Sequence, residues 1–308
     1  MQGRVIKTTG SWYSVRLDNG TVVSCRIKGK MRLIDRRTTN PVNIGDLVVV
    51  DTEEGDSVIK EVLPRTNYII RQSSRHRTAE HILAANIDQA LVMATVAMPR
   101  TSTGFIDRFL VTATAYHIPS VLLFNKVDLY NKKEMQAVIE LEDAYIKAGY
   151  QVILTSAEEN IGISHLKEMM KDKISLLSGH SGVGKSTLIN RVIPGLDLKT
   201  AELAAFNQKG KHTTTYTEMI ELPFGGFIID TPGIKEFGIL DFDEAEVSHY
   251  FPEMEKVLHD CRFHNCLHIN EPGCAVKSAL EAGQIAEFRY SNYLSIINEI
   301  GTDEKIYD

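Results

Sequence analysis

The segment ISLLSGHSGVGKSTLINRVI, Ile174 to Ile193, sets a G-x-x-x-x-G-K-[ST] pattern between an apolar run and a helical pattern. Few local patterns restrict a fold more tightly. A buried strand must feed a tight loop whose backbone N–H groups and following helix N-terminus converge on one anion. Gly179, Gly182 and Gly184 let the chain wrap closely, and His180, Ser181 and Val183 complete the loop. Lys185 is placed to reach β and γ phosphates, the Ser186 hydroxyl to bind Mg²⁺, and Thr187 opens the helix. The pattern predicts an α/β domain with a parallel sheet that binds a nucleotide.

Phosphates do not distinguish bases, so the base must be read elsewhere. FNKVDL, Phe124 to Leu129, ends an apolar strand in Asn125, Lys126, Val127 and Asp128. The Asp128 carboxylate can accept from guanine N1–H and the exocyclic amine together; adenine lacks that donor pair and would leave the carboxylate unpaired. Asn125 is expected to tie the loop down, and the Lys126 stem to cover the base plane. TSAEE follows the next strand, where the Ala157 N–H can donate to guanine O6 and Ser156 can brace the turn. FIIDTPG supplies a D-x-x-G element, with Asp230 toward the Mg²⁺ shell and the Gly233 N–H toward the γ-phosphate. GKHTTT, Gly210 to Thr215, lies where a first switch belongs. The position that often carries a water-orienting Gln is Ile234, so His212 is the best candidate for that task. Five nucleotide elements are present, but both guanine loops precede the phosphate loop. A parallel sheet can be cut at one surface loop and rejoined at another without disturbing its interior. The order therefore predicts a circularly permuted domain.

Strand and helix patterns alternate from Asp88 to Ser178, as a parallel sheet requires. Before them, RVIKT, WYSVRL, TVVSCRI and DLVVV read as short strands, with Asp18 to Gly20 as a hairpin turn. An OB-type barrel is the expected fold there, and such barrels bind RNA or single strands. Up to Arg37 this region has nine basic residues against two acidic ones, in a chain of net charge −6. That concentration points to a local phosphate-binding surface. RQSSRHRTAEH, Arg71 to His81, reads as a linker. Near the C-terminus, Cys261, Cys266, His268 and Cys274 form C-x4-C-x-H-x5-C. Three thiolates and an imidazole suit one structural, tetrahedral Zn²⁺, with His264 as an alternative to His268. With three of four cysteines in that cluster, a disulfide framework is not expected, and Cys25 reads as core. MQGRVIKTTG lacks an apolar signal region, and no stretch is apolar enough to span a bilayer; a cytoplasmic protein without membrane attachment is expected.

The order NKVD, TSA, GHSGVGKST, GKHTTT, DTPG, flanked by a basic barrel and a Cys/His cluster, resembles the RsgA family of small-ribosomal-subunit-dependent GTPases. The resemblance spans nearly the whole chain. It implies an OB-fold barrel over residues 1–70, a circularly permuted P-loop GTPase domain over 71–240 and a helical zinc-binding domain over 241–308. It implies turnover of GTP to GDP stimulated by the small subunit, contact with its rRNA, and a role late in its assembly. It also favours His212 as catalytic and Thr214 as the Mg²⁺-binding threonine, although Thr213 and Thr215 fit the spacing as well. Nothing in the sequence calls for more than a monomer.

Overall fold

The structure, a computed structural model, describes residues 1–27, 40–53, 56–72, 80–196, 218–230 and 242–305. The chain forms two compact units and passes between them repeatedly. One comprises Met1–Leu91, Ile163–Ser178 and Lys185–Glu236; the other comprises Val92–Gly162, Gly179–Gly184 and Phe237–Asp308.

The first unit opens with a barrel of strands β1 (Gln2–Thr9), β2 (Trp12–Leu17), β3 (Val22–Ile27), β4 (Leu47–Glu53) and β5 (Asp56–Val62). β1 pairs with β2, β2 with β3, β3 in parallel with β5, β5 with β4, and β4 with β1, which closes the ring. Alternation along β2 turns Tyr13, Val15 and Leu17 inward, where they meet Val5, Cys25, Val48, Val50 and Ile59. Cys25 is fully buried, and burial pushes its thiol up to about 11. β5, whose charged ends mask its alternation, was not among the strands expected from the sequence. A bulge between Val5 and Lys7 divides β1. Gln2 to Arg4 pair with β4, while Lys7 pairs with Glu218 of a much later strand.

The ends of the segment expected to be a linker are in fact strands. β6 (Tyr68–Gln72) and β7 (Glu80–Ala85) pair antiparallel, and Arg71 and His81 face each other in register. The apolar residues Ile69, Ile82, Ala84 and Ala85 provide the burial that the polar middle of the segment does not suggest.

β8 (Gln89–Ala94) carries the chain into the second unit, followed there by α1 (Thr103–Ala115), β9 (Ser120–Phe124), α2 (Lys132–Ala148) and β10 (Gln151–Leu154). Ser102 caps α1, and Asn131 with Glu134 forms a capping box at α2. β9 and β10 run parallel, with Phe124 beside Leu154. The first unit resumes with α3 (Ile163–Met170) and β11 (Ile174–Gly179), and then α4 (Lys185–Val192), β12 (Glu218–Glu221) and β13 (Phe227–Asp230). β11 and β13 are parallel, and β12 lies antiparallel between β13 and β1.

The chain ends with α5 (Pro252–Glu255), α6 (Ala275–Glu281) and α7 (Glu287–Lys305), in the second unit. Their core gathers Val247, Phe251, Met254, Val276, Tyr293 and Ile296. Inside it, Arg289 is fully buried. Its Nε and Nη2 donate to Glu253 at 2.7 and 3.0 Å, and its Nη1 donates to Asp107 of α1 at 2.7 Å. Asp107 also accepts from Tyr145 Oη at 2.7 Å and Asn292 Nδ2 at 2.6 Å. Burial opposes the guanidinium charge, but Asp107, Tyr150 and Glu253 around it hold it protonated, well above its ordinary value. No helix among the described residues is long and apolar enough to cross a membrane.

Candidate nucleotide site and metal centre

The expected base-reading and phosphate-loop residues of the second unit interlock. Asn125, 2% exposed, follows β9 directly. Its Nδ2 donates to the Val183 carbonyl at 2.9 Å, and its Oδ1 accepts from Thr155 Oγ1 at 3.0 Å. Lys126 adopts a left-handed backbone, and its Nζ donates to the carbonyls of Gly182 and Met98 at 2.7 Å each. Tyr130 Oη donates to the Asn125 carbonyl at 2.6 Å and accepts from Val96 N–H at 3.1 Å; burial pushes its hydroxyl above the ordinary range. Val127 is buried and Asp128 faces solvent. Ser156 is fully buried, and its Oγ accepts from Glu159 N–H at 3.0 Å, which fixes the turn carrying the buried Ala157.

Gly184 shows why this loop tolerates no side chain. Its φ is +99°, and a Cβ there would lie 2.6 Å from Asn125 Nδ2. Gly179 is equally confined, since a Cβ would lie 2.5 Å from the Met93 carbonyl. The His180 ring packs on Phe105 of α1, centroids 3.8 Å apart, with Ser181 exposed beside it. In the first unit, Lys185, Ser186 and Thr187 form the opening turn of α4, and Ser186 is 9% exposed. Asp230 ends β13 opposite Leu177 of β11, two residues before Gly179. Each motif thus sits at the carboxyl end of its strand, where parallel sheets bind ligands. His212, Thr213, Thr214, Thr215, Gly233 and Ile234 lie outside the described residues.

The ligand atoms of Cys261, Cys266, His268 and Cys274 all lie within 4.8 Å of one another. His268 Nδ1 is 3.6 Å from Cys261 Sγ and 3.3 Å from Cys274 Sγ. Metal–ligand bonds of about 2.0 to 2.3 Å at tetrahedral angles put N and S roughly 3.5 Å apart, so this donor set fits zinc. The exposed His264 is not in the cluster. Backbone N–H groups of Ala275 and Lys277 point at Cys261 and Cys274 sulfurs, as thiolates require. Burial pushes the Cys266 thiol up to about 12 and Cys274 upward too, and a cation at their centre would favour the thiolates. Glu271 folds the loop. Burial pushes its carboxyl up, but N–H groups including those of Leu267, Ile269 and Asn270 more than offset this and hold it below the usual range. Tyr290 and Tyr293 of α7 donate to the carbonyls of His268 and Leu267, at 2.6 and 2.7 Å. The sequence singles out Arg289, Tyr290 and Tyr293 but leaves open whether they pack or touch RNA; Arg289 and Tyr293 pack, and the partners Asp107 and Glu253 were not read from the sequence.

Residues 62–240 match the RsgA GTPase domain family, and residues 2–59 match the RsgA N-terminal domain. The chain belongs to the RsgA GTPase family. The Small ribosomal subunit biogenesis GTPase RsgA of Bacteroides fragilis strain YCH46 is 51% identical over 300 residues, covering 97% of each chain. The protein of the same name from Christiangramia forsetii is 51% identical over 301 residues, covering 96% of each. Among solved structures, YjeQ from Thermotoga maritima superposes with a TM-score of 0.82 at 37% identity, over 97% of each chain. YloQ, a circularly permuted GTPase, superposes at 0.78 and 28% identity, over 98% of this chain and 95% of that one. The chain is therefore a GTP-hydrolysing enzyme built on the permuted fold.

Proposed function

We propose that this chain hydrolyses GTP while acting on the small ribosomal subunit late in its assembly, with its barrel against rRNA. The observation that carries this reading is the lock between the NKVD loop and the phosphate loop, Asn125 to Val183 and Lys126 to Gly182, in a chain of this family. Such a lock ties base recognition to phosphate placement, which supports Asp128 and Ala157 as the groups that select guanine. Backbone N–H groups from Gly179 to Thr187 and the Lys185 ammonium hold the phosphates. Ser186 and Thr214 are the residues that would hold Mg²⁺, with Asp230 toward its water shell. When bound, such an ion would supply charge neutralisation at the phosphates. Gly233 N–H meets the γ-phosphate, and His212 orients the water that attacks γ-phosphorus as the bond to the β–γ bridging oxygen breaks.

The proposed domains are the barrel over 1–70, the GTPase over 71–240 and the zinc-binding helical domain over 241–308. One Zn²⁺ held by Cys261, Cys266, His268 and Cys274 is structural, since four protein ligands leave no open position. The protein acts as a cytoplasmic monomer. The test is GTP turnover by the purified chain, alone and with isolated small or large subunits, with ATP as control. Stimulation by small subunits only is expected, and His212→Ala should lose it while retaining GDP binding. Equal slow turnover under every condition would sink the reading.

A further inference from the structure

Of the nine cations near the N-terminus, Arg4, Lys7, Arg16 and Arg26 lie among the described residues, and three of these four are engaged by the protein itself. Arg4 donates to the Gly45 carbonyl at 2.9 Å and loses charge stability to burial, despite the nearby Asp88 and Asp46. Lys7 pairs with Glu218 at 2.9 Å, and Arg16 meets both carboxylate oxygens of Glu221 at 2.6 and 3.1 Å. These three cations serve the protein's own packing. Arg26 is arranged differently. Its guanidinium carbon sits 4.1 Å from the centroid of the Trp12 ring.

Trp12 itself is 39% exposed, whereas its neighbour Tyr13 is 2% exposed and belongs to the barrel core. Tyr13 pairs with Cys25 and Ser14 with Ser24, so Trp12 and Arg26 stand opposite each other on the outer face of β2 and β3. Ser14 and Ser24 lie next along that face. Nothing in the barrel core requires an indole outside it. A guanidinium held on one ring face orders both side chains in advance, so little freedom remains to be lost when a flat ligand stacks. The ligand this arrangement suits has a π-face and a negative charge nearby. An unpaired nucleotide has both, whereas duplex RNA hides its base faces in the stack.

We propose that Trp12 and Arg26 form a stacking platform for an unpaired base of single-stranded RNA. This rests on the reading that the barrel meets rRNA, and it adds the class of RNA and the residues that take it.

Trp12 is the only tryptophan in the chain, so intrinsic fluorescence of the full protein reports this one side chain. An eight-nucleotide oligoadenylate should quench it saturably, along the same curve as the anisotropy of the labelled oligonucleotide. A duplex of equal length should not. Trp12→Ala and Arg26→Ala should each weaken binding by roughly tenfold, and Trp12→Phe should restore most of it. Arg26→Ala keeps the fluorophore, and circular dichroism checks that each variant folds. The proposal is overturned by no binding of the single strand, by binding without quenching, by equal quenching by duplex, or by unchanged affinity in Trp12→Ala. Quenching by small subunits but by no single strand would also overturn it. Small-subunit stimulation of GTP turnover, measured on the same preparation, separates failure of this platform from failure of the wider reading.

Discussion

Asn125 and Asp128 belong to one tetrapeptide, yet the first is buried against the phosphate loop and the second faces solvent. Their substitutions should therefore fail in different ways. Asp128→Ala removes the proposed charged acceptor for the base and leaves the loop's own bonds intact. It should weaken GDP and GTP binding by roughly 10- to 150-fold, as loss of a charged hydrogen bond predicts, with the thermal midpoint of the apo protein nearly unchanged. Asn125→Ala should lower both affinity and that midpoint, because the Val183 carbonyl and Thr155 hydroxyl lose a buried partner. Calorimetric titration and thermal denaturation of both variants check the contrast. At this scale the sequence was most readable where chemistry ties a residue type to a spacing, as in NKVD. It was least readable where a long side chain reaches back from outside the motif. Tyr130 bridges Val96 and the Asn125 carbonyl, and no spacing rule would have pointed to it.

Elements whose burial follows a clean period or an unbroken apolar run were legible. WYSVRL is the strand Trp12–Leu17 without adjustment, and SVLLF is Ser120–Phe124. β5 and β12 escaped notice because charged residues sit at their ends, and β6 and β7 because a polar stretch separates them. The contacts that join the last helices to α1 and α2 were not legible either, since they depend on three charged residues far apart in sequence. Arg289→Ala would leave Asp107 and Glu253 buried without their cation and should destabilise the protein by about 3 to 5 kcal/mol. Replacing the trio together, by Arg289→Met, Asp107→Asn and Glu253→Gln, should recover most of that loss, and denaturant titration would measure both. The Cys/His loop makes its own prediction. Thiols pushed upward by burial must release protons when zinc binds, so zinc affinity should rise with pH and fall from about pH 8 to about pH 6. Competition against a chromogenic chelator would read the slope, and chelation should lower the thermal midpoint.

On the scale of the whole chain, the order of motifs revealed the permutation because each motif carries its own local signal. The division into two compact units was hidden, because it follows contacts that cut across every motif boundary, including the phosphate loop between Gly184 and Lys185. Another feature of this scale is the pairing of β1 with β12. Lys7 and Glu218 are 211 residues apart, and Arg16 and Glu221 are 205 apart. During synthesis the first strands emerge long before their last partner exists. For that interval, the edge that β12 will occupy is a site where another nascent chain could add a strand. Charge on such an edge discourages that pairing. The positive halves of both ion pairs lie on residues made early, and the negative halves on β12, made 211 and 205 residues later. Until that acidic strand is made, uncompensated cations make this edge a poor template for a second copy.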